Sequence, residues 1–336
     1  MDEIYSVIPV SSVVNSNRIA ARSQPVENWG TISSGASPGF VKSYSSHRRG
    51  NQTAYCRDPD KINWMPPAPP VPLAAARRHL PPQPCDTELR VTDLIHARGL
   101  PAAVLAIGFA LLARVMGAVT DGGAMAGVLA AFVLMLAGGF AGFSPLLTLF
   151  LLTMISTRWG YARKQRLGVA ERKRGRRASQ VIANLAAATA CALVVIWFPE
   201  LGDLLLVGSM AALAEAAADT VSSEVGQATA RGAYMITDFR DVPIGTNGAI
   251  SVEGTISGCV AACIVSWVSA ASGLVDWRWT PVIAFAGIGG MFLDSILGAT
   301  WENRGKIGND TVNFVSTVFA ADVALIATII VERVGG

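Results

Sequence analysis

Residues 122–157 read GGAMAGVLAAFVLMLAGGFAGFSPLLTLFLLTMIST, without a single charged side chain. A membrane-spanning helix needs about 20 predominantly apolar residues. The run is too long for one ordinary span and just long enough for two short ones. Its only break is Gly138-Gly-Phe-Ala-Gly142. Two spans near 122–138 and 141–157, or a re-entrant hairpin between them, are the readings it allows. Working outward, further apolar runs lie near 100–118, 180–198, 203–224, 249–272, 280–299 and 311–332. The expected fold class is therefore all-α: a polytopic transmembrane bundle of about eight spans over residues 99–336, preceded by an N-terminal tail, 1–98. Glycines recur within the runs (Gly122, Gly123, Gly127; Gly287, Gly289, Gly290), as expected where helices approach closely in a membrane.

Composition agrees. Of 336 residues 51% are hydrophobic and 15% charged, and mean hydropathy is positive; a soluble domain carries about a quarter charged residues. The tail is different. It is rich in Ser, Pro, Asn and Arg, lacks an apolar period, and contains Met65-Pro-Pro-Ala-Pro-Pro-Val-Pro72, which is polyproline-like. Such a segment is expected to be disordered. Acidic residues are scarce up to Arg57, as in an organellar transit peptide, although the opening Met-Asp-Glu argues for a plain extension.

Charge excludes some functions and orients the bundle. A net charge of +3, with no basic stripe interleaved with aromatics, gives no reason to expect nucleic acid as a partner. All three histidines (His47, His79, His96) precede the first span, and the five cysteines show no metal-ligand spacing. A Cys/His zinc site or a His-based triad is thus excluded from the membrane region. The segment Arg158–Arg177 holds nine basic residues and one acid, Glu171. It is expected to face the cytoplasm or stroma, with loops 225–248 and 300–310 on the same side and both ends of the bundle on the other. Arg77, Arg78, Arg90 and Arg98 pull the other way.

Chemistry falls to carboxylates, hydroxyls and backbone groups. A carboxylate at membrane depth costs several kcal/mol and is a functional candidate by default. In Glu215-Ala-Ala-Ala-Asp219-Thr-Val-Ser222-Ser223-Glu224 the i, i+4 spacing puts Glu215, Asp219 and Ser223 on one helix face. Paired oxygens there suit Mg²⁺, which takes one or two carboxylates and fills its shell with water and phosphate; a polar face pairing with neighbouring helices is the plain alternative. Next comes Arg240, then Gly245-Thr246-Asn247-Gly248 entering a helix, a turn whose N–H groups suit phosphate oxygens, with Arg240 as a bidentate anion contact. Asp294 ends the seventh run. Asn309, Asp310 and Asn313 open the last, as a polar ring or simply as an N-cap. Gln180 and Asn184, four apart at a helix start, could bond a headgroup or nucleotide.

The motifs EAAADTVSSEVG (215–226), ITDFR (236–240), GTNGAIS (245–251), LDSILGAT (293–300) and NRGKIGNDTVNF (303–314), with the basic segment 162–184, resemble the transmembrane protein nineteen family over about residues 99–332. Its plant branch includes a phytyl-phosphate kinase. By position, Asp219, Ser223 and Glu224 match the family's acidic segment, Gly245, Thr246 and Gly248 its glycine loop, and Asp294 its third motif. Ala249 and Asn247 depart from the glycine and aspartate common there. The resemblance implies an isoprenyl-monophosphate kinase in a bacterial inner membrane or plastid membrane. Its expected cofactor is Mg²⁺, with CTP or ATP as phosphoryl donor and a membrane-borne isoprenyl phosphate as acceptor. Asp219 and Asp294, with Glu224 or Glu215, would hold the metal. Arg240, Gly245, Thr246 and Gly248 would hold phosphate. The alternative is a transporter or flippase for a lipid phosphate or ion, since intramembrane acids beside Gly-rich helix breaks also mark transport sites.

Overall fold

The computed structural model describes residues 84–170 and 175–335. The tail up to residue 83 and Glu171–Arg174 of the basic segment lie outside the described residues. The helices are α1 (Pro84–Val115), α2 (Asp121–Arg158), α3 (Tyr161–Leu167), α4 (Ala178–Trp197), α5 (Gly202–Thr229), α6 (Val252–Ala271), α7 (Thr280–Leu297) and α8 (Asn309–Gly335). All but α3 are long and apolar enough to cross a membrane, seven among the described residues.

The charge-free run resolves as a folded pair. Within α2, Gly139 has φ 62° and ψ −148°, a conformation open only to glycine, where the chain reverses. A straight helix of 38 residues would be roughly 57 Å long, yet Arg158 at its end donates from Nη2 to the Met116 carbonyl oxygen, 3.1 Å away. Gly142 lies against the Leu134 carbonyl. The two limbs, 121–138 and 140–158, therefore run antiparallel, and eight passages of helix result, as the spacing predicts. Residues 84–98, counted with the tail on hydropathy, begin α1. Hydropathy marks where apolar side chains dominate, whereas Glu88–Arg98 mixes charged with apolar side chains and holds no Gly or Pro to stop a helix.

α5 is the centre. Its most apolar window is 78% buried, against 22% for α1, and it packs on α2, α3, α4, α6, α7 and α8. The stretch Met210–Ala218, six of whose nine residues are alanine, lets neighbours approach. A Cβ on Gly287 of α7 would come within 2.9 Å of the Ala214 Cβ, and one on Gly258 of α6 within 2.8 Å of the Ala218 carbonyl oxygen.

Two ends follow from the contacts. At one end Arg98 meets the tip of α2, and Ser272 donates to the Ala141 carbonyl oxygen. At the other, Asn303 bonds the Asn247 carbonyl and Arg176 pairs with Val119. The described basic segment and the connections 230–251 and 298–308 share this second, basic end, while α1 begins and α8 finishes at the first. The competing signal of Arg98 has a local cause: its Nη1 bonds the Leu136 and Ala137 carbonyls that end the first limb of α2. In a cysteine-free background, cysteines placed at Gly168 and Lys306 are expected to react with an impermeant maleimide from the cytoplasmic side, and one at Asp276 from the other. Labelling of all three from one side would break the eight-passage arrangement.

One feature departs from the all-helical expectation. Between α5 and α6 the chain forms a small antiparallel sheet of β1 (Ala233–Met235), β2 (Asp241–Val242) and β3 (Ala249–Ile250), in the order β2-β1-β3. Tyr234 pairs with both Asp241 and Ile250. Strands of two or three residues carry no legible alternation, so sequence shows only the turn between them.

Candidate functional site

At the basic end, α5, α7, the starts of α4, α6 and α8, and the loop after β2 enclose a polar cavity of about 330 Å³. Three helices begin at its wall: α4 with Gln180 and Asn184, α6 with Ser251, Gly254 and Thr255, and α8 with Asn309 and Asn313. Helix N-termini present unpaired N–H groups and the positive end of the dipole, so their convergence favours an anion. Ser251 satisfies one such donor, accepting from the Gly254 N–H at 3.1 Å. Asn313 Nδ2 donates to Asn184 Oδ1 at 3.1 Å and ties α8 to α4.

The acids stand opposite. Asp219 of α5 and Asp294 of α7 both line the cavity, near enough for each carboxyl to act on the other. Ser316 Oγ reaches Asp294 Oδ2 at 3.4 Å. Asp219 lies ten residues before the end of α5, roughly 15 Å along the helix, so the pair forms the floor of a vestibule rather than a surface patch. Glu302 joins the wall through the π-helical turn Gly298–Glu302 that follows α7. One turn deeper than Asp219, Glu215 is 1% exposed and neither carboxylate oxygen has a hydrogen-bond partner. Gly290 makes its space: a Cβ there would come within 2.5 Å of Glu215 Cγ.

The glycine loop folds over this floor. Gly245 and Gly248 have φ of 88° and 74°, and the Thr246 hydroxyl donates to the Pro243 carbonyl oxygen at 2.7 Å. Gly248 is pressed on the end of α7, where a Cβ would come within 2.5 Å of the Ser295 carbonyl oxygen. No side chain larger than hydrogen fits there without moving backbone.

Most of the expected residues meet here: Asp219, Ser223, Glu224, Gly245, Thr246, Gly248, Asp294, Asn309 and Asn313 all line the cavity. Arg240 does not. It is exposed and paired with Asp238 at 3.4 Å. Asp310 sits in the first turn of α8, outside the lining, and Glu215 lies behind it. The cationic wall is instead Arg176, whose Nη2 is 3.5 Å from the Thr220 hydroxyl oxygen and whose charge acts on Asp219.

Sequence reasoning also missed the partner of Glu224. Lys164, on the short α3, is 1% exposed and ion-pairs with Glu224 Oε2. The same ammonium bonds the Ser156 and Thr157 carbonyls at 3.0 and 2.7 Å, and the Thr157 hydroxyl donates to Glu224 Oε1. Nearby, Arg163 caps α5 through the Ala228 and Ala230 carbonyls. Basic residues read as a topology signal thus cap helices that end at this face, where cations oppose the negative end of each dipole. Lys164 in a basic run gives no sign of this from sequence; only the three-dimensional return of α2 puts it beside Glu224.

Known proteins give a family context. The chain is 32% identical over 190 residues to an uncharacterized membrane protein of Synechocystis, covering 56% of this chain and 74% of that one. It is 31% identical over 211 residues to the chloroplastic protein VTE6 of Arabidopsis thaliana, covering 60% and 63% respectively, so less than two thirds of that relative is spanned. An uncharacterized membrane protein of Methanocaldococcus jannaschii is 29% identical over 191 residues, 56% of this chain and 76% of the other. No solved structure matches. A family profile described as integral membrane protein DUF92 matches residues 104–321, which include every residue lining the polar cavity. The chain is an integral membrane protein and belongs to the DUF92 family.

Proposed function

We propose that the protein is a membrane phosphotransferase that moves the terminal phosphoryl group of a nucleoside triphosphate onto an isoprenyl monophosphate. The observation that carries this reading is the arrangement of opposed charges: two neighbouring carboxylates at the floor, three helix N-termini and Arg176 around them. Like-charged carboxyls at that range need a cation or a shared proton between them. Their chemistry fits Mg²⁺, for which one or two carboxylates suffice, the rest being water and phosphate oxygens. Among the described residues no group of three or more His, Cys, Asp or Glu is arranged to hold a metal, so Glu215 and Glu224 do not join the pair as ligands, and water and phosphate oxygens would have to complete the shell.

Phosphoryl transfer asks for positioning and neutralisation of charge more than for covalent chemistry. When bound between Asp219 and Asp294, Mg²⁺ would supply positive charge that neutralises the phosphates. Asp219 and Asp294 hold its place. The N-termini of α4, α6 and α8 orient phosphate oxygens through N–H groups, Arg176 adds a fixed positive charge beside Asp219, and the Gly245–Gly248 loop closes over the nucleotide side. The acceptor is taken from the likeness of these motifs to the plant phytyl-phosphate kinase branch. The transporter reading draws on Glu215, a buried acid beyond the floor, and requires that the site open to both membrane faces. Beyond Glu215, residues Val207–Ala214 are packed and buried, and the cavity lies at the basic end.

The test is phosphate transfer by the purified protein in lipid nanodiscs, with Mg²⁺, CTP or ATP, and phytyl, geranylgeranyl or farnesyl monophosphate. Diphosphate product is expected with at least one pair. Folded protein that forms none from any pair would end the kinase reading.

A further inference from the structure

A second cavity, of about 460 Å³, lies beside the polar one, between α1, the two limbs of α2, α4 and α5. Its walls are mostly apolar. It is lined at its deep end by Phe109, Leu146 and Phe150, and at its mouth by Gly117, Val119, Arg158 and Arg176. Phe109 stacks edge-on against Phe143 at 5.2 Å and Phe150 at 4.9 Å between ring centroids, forming an aromatic floor. From Val115 to Phe109 the axis of α1 descends roughly 9 Å into the bundle. The charged side chains in the lining are Arg158 and Arg176, both cations at the mouth.

Two residues belong to both cavities, Arg176 and Asn184. The apolar chamber thus borders the phosphate site, with a cation in the wall they share. An occupant of both must have an anionic head and a slender hydrocarbon body. The volume is within the roughly 300–1,000 Å³ of ordinary ligand pockets. We infer that this chamber takes the hydrocarbon chain of the acceptor, a single-chain lipid monophosphate whose head rests at Arg176 and Asn184, and that Gly127 and the Phe109–Phe150 floor measure the chain's length. The inference rests on the phosphotransferase reading for the reaction, but its binding claim stands apart from turnover.

Gly127 supplies the test. It lines the chamber, and a Cβ built on it meets no atom within 4 Å. A leucine there grows into the empty space, and in a helix interior it is favoured over glycine, so the fold is kept. Neither Gly127 nor Phe150 borders the polar cavity.

Thermal stabilisation of the purified full chain in detergent by geranyl, farnesyl, geranylgeranyl and phytyl monophosphates is measured first. Inorganic phosphate, geranylgeraniol and phosphatidic acid serve as comparison ligands. Wild type is expected to be stabilised by the long-chain monophosphates and not by phosphate or the alcohol alone. In Gly127→Leu the affinity for the long chains is expected to fall at least about tenfold, the effect of displacing two or three methylenes, with the geranyl compound less affected. Phe150→Ala is expected to shift the preference toward longer chains. Unchanged affinity across the series in both variants would overturn the inference. So would the absence of stabilisation in wild type, or equal and Gly127-dependent stabilisation by phosphatidic acid, which would make the chamber a seat for bilayer phospholipid. Chain-length-dependent binding with no phosphate transfer would uphold the chamber while ending the kinase reading. Transfer that persists with Gly127→Leu insensitive to chain length would do the reverse.

Discussion

Asp219→Asn is expected to abolish phosphate transfer while leaving a folded, extractable protein. The two halves of that expectation have separate causes. Activity falls because the amide removes one of the two anionic oxygen sets facing each other at the cavity floor. Disturbing merely the groups behind a metal ligand typically lowers affinity or activity about 10–100-fold. Loss of a ligand itself should therefore exceed about 100-fold in kcat/KM, with more Mg²⁺ needed for what turnover persists. The fold survives because the substitution is isosteric and relieves repulsion between like charges at membrane depth. Asp294→Asn should behave alike, since its carboxyl is the other half of the pair, with Ser316 keeping the side chain in place. Wild-type kcat/KM and an unchanged Mg²⁺ dependence in Asp219→Asn would remove this residue from the site.

Some of this was legible in the sequence, for identifiable reasons. The spans were, because a backbone in hydrocarbon must satisfy its own hydrogen bonds and does so as apolar helix. Even the reversal within 122–157 announced itself through Gly138, Gly139 and Gly142. The acids were legible for the complementary reason: few polar groups survive in such a setting without a use, so Asp219 and Asp294 stand out against alanine and leucine. Their meeting across two helices far apart in sequence is what the fold adds.

Cations were harder to read. Arg158, Arg163, Lys164 and Arg176 belong to one dense run, and density hid two different roles. The first three cap helix ends at Met116, at Ala228 and Ala230, and at Ser156 and Thr157. Arg176 faces Thr220 and Asp219. Arg240, the arginine beside the glycine loop and the natural choice by proximity in sequence, turns outward to Asp238. The reason is the small sheet: pairing of β1 with β2 sets the direction of the turn that carries Arg240, and two-residue strands leave no pattern from which to foresee it. The apolar chamber escaped for another reason. Its walls are the same alanines, leucines and phenylalanines that fill any membrane helix, and absence of packing has no sequence signature.

The largest expected effect on stability is that of Lys164→Met. The ammonium is 1% exposed and holds three acceptors: Glu224 and the carbonyls of Ser156 and Thr157. Removing it strands a carboxylate whose side chain is 11% exposed and leaves two helix-ending carbonyls without their cation. Breaking a buried pair from one side typically costs about 3–5 kcal/mol, whereas replacing both partners is often close to neutral. Glu224→Gln should be milder than Lys164→Met, because Lys164 keeps both carbonyls and the glutamine can still accept from Thr157. The double variant should regain much of the stability lost in Lys164→Met, a non-additivity that reversible unfolding in mixed micelles can read. Equal stability of Lys164→Met and wild type would show that the pair does not hold α2, α3 and α5 together. The double variant also decides what Glu224 does. Both of its oxygens are engaged, one by Thr157 and one by Lys164, so its work is to fix the wall beside Asp219 and Thr220, and a restabilised double variant is expected to keep most of its turnover. A stable double variant without turnover would instead place the Glu224 carboxylate in the chemistry, alongside Asp219 and Asp294.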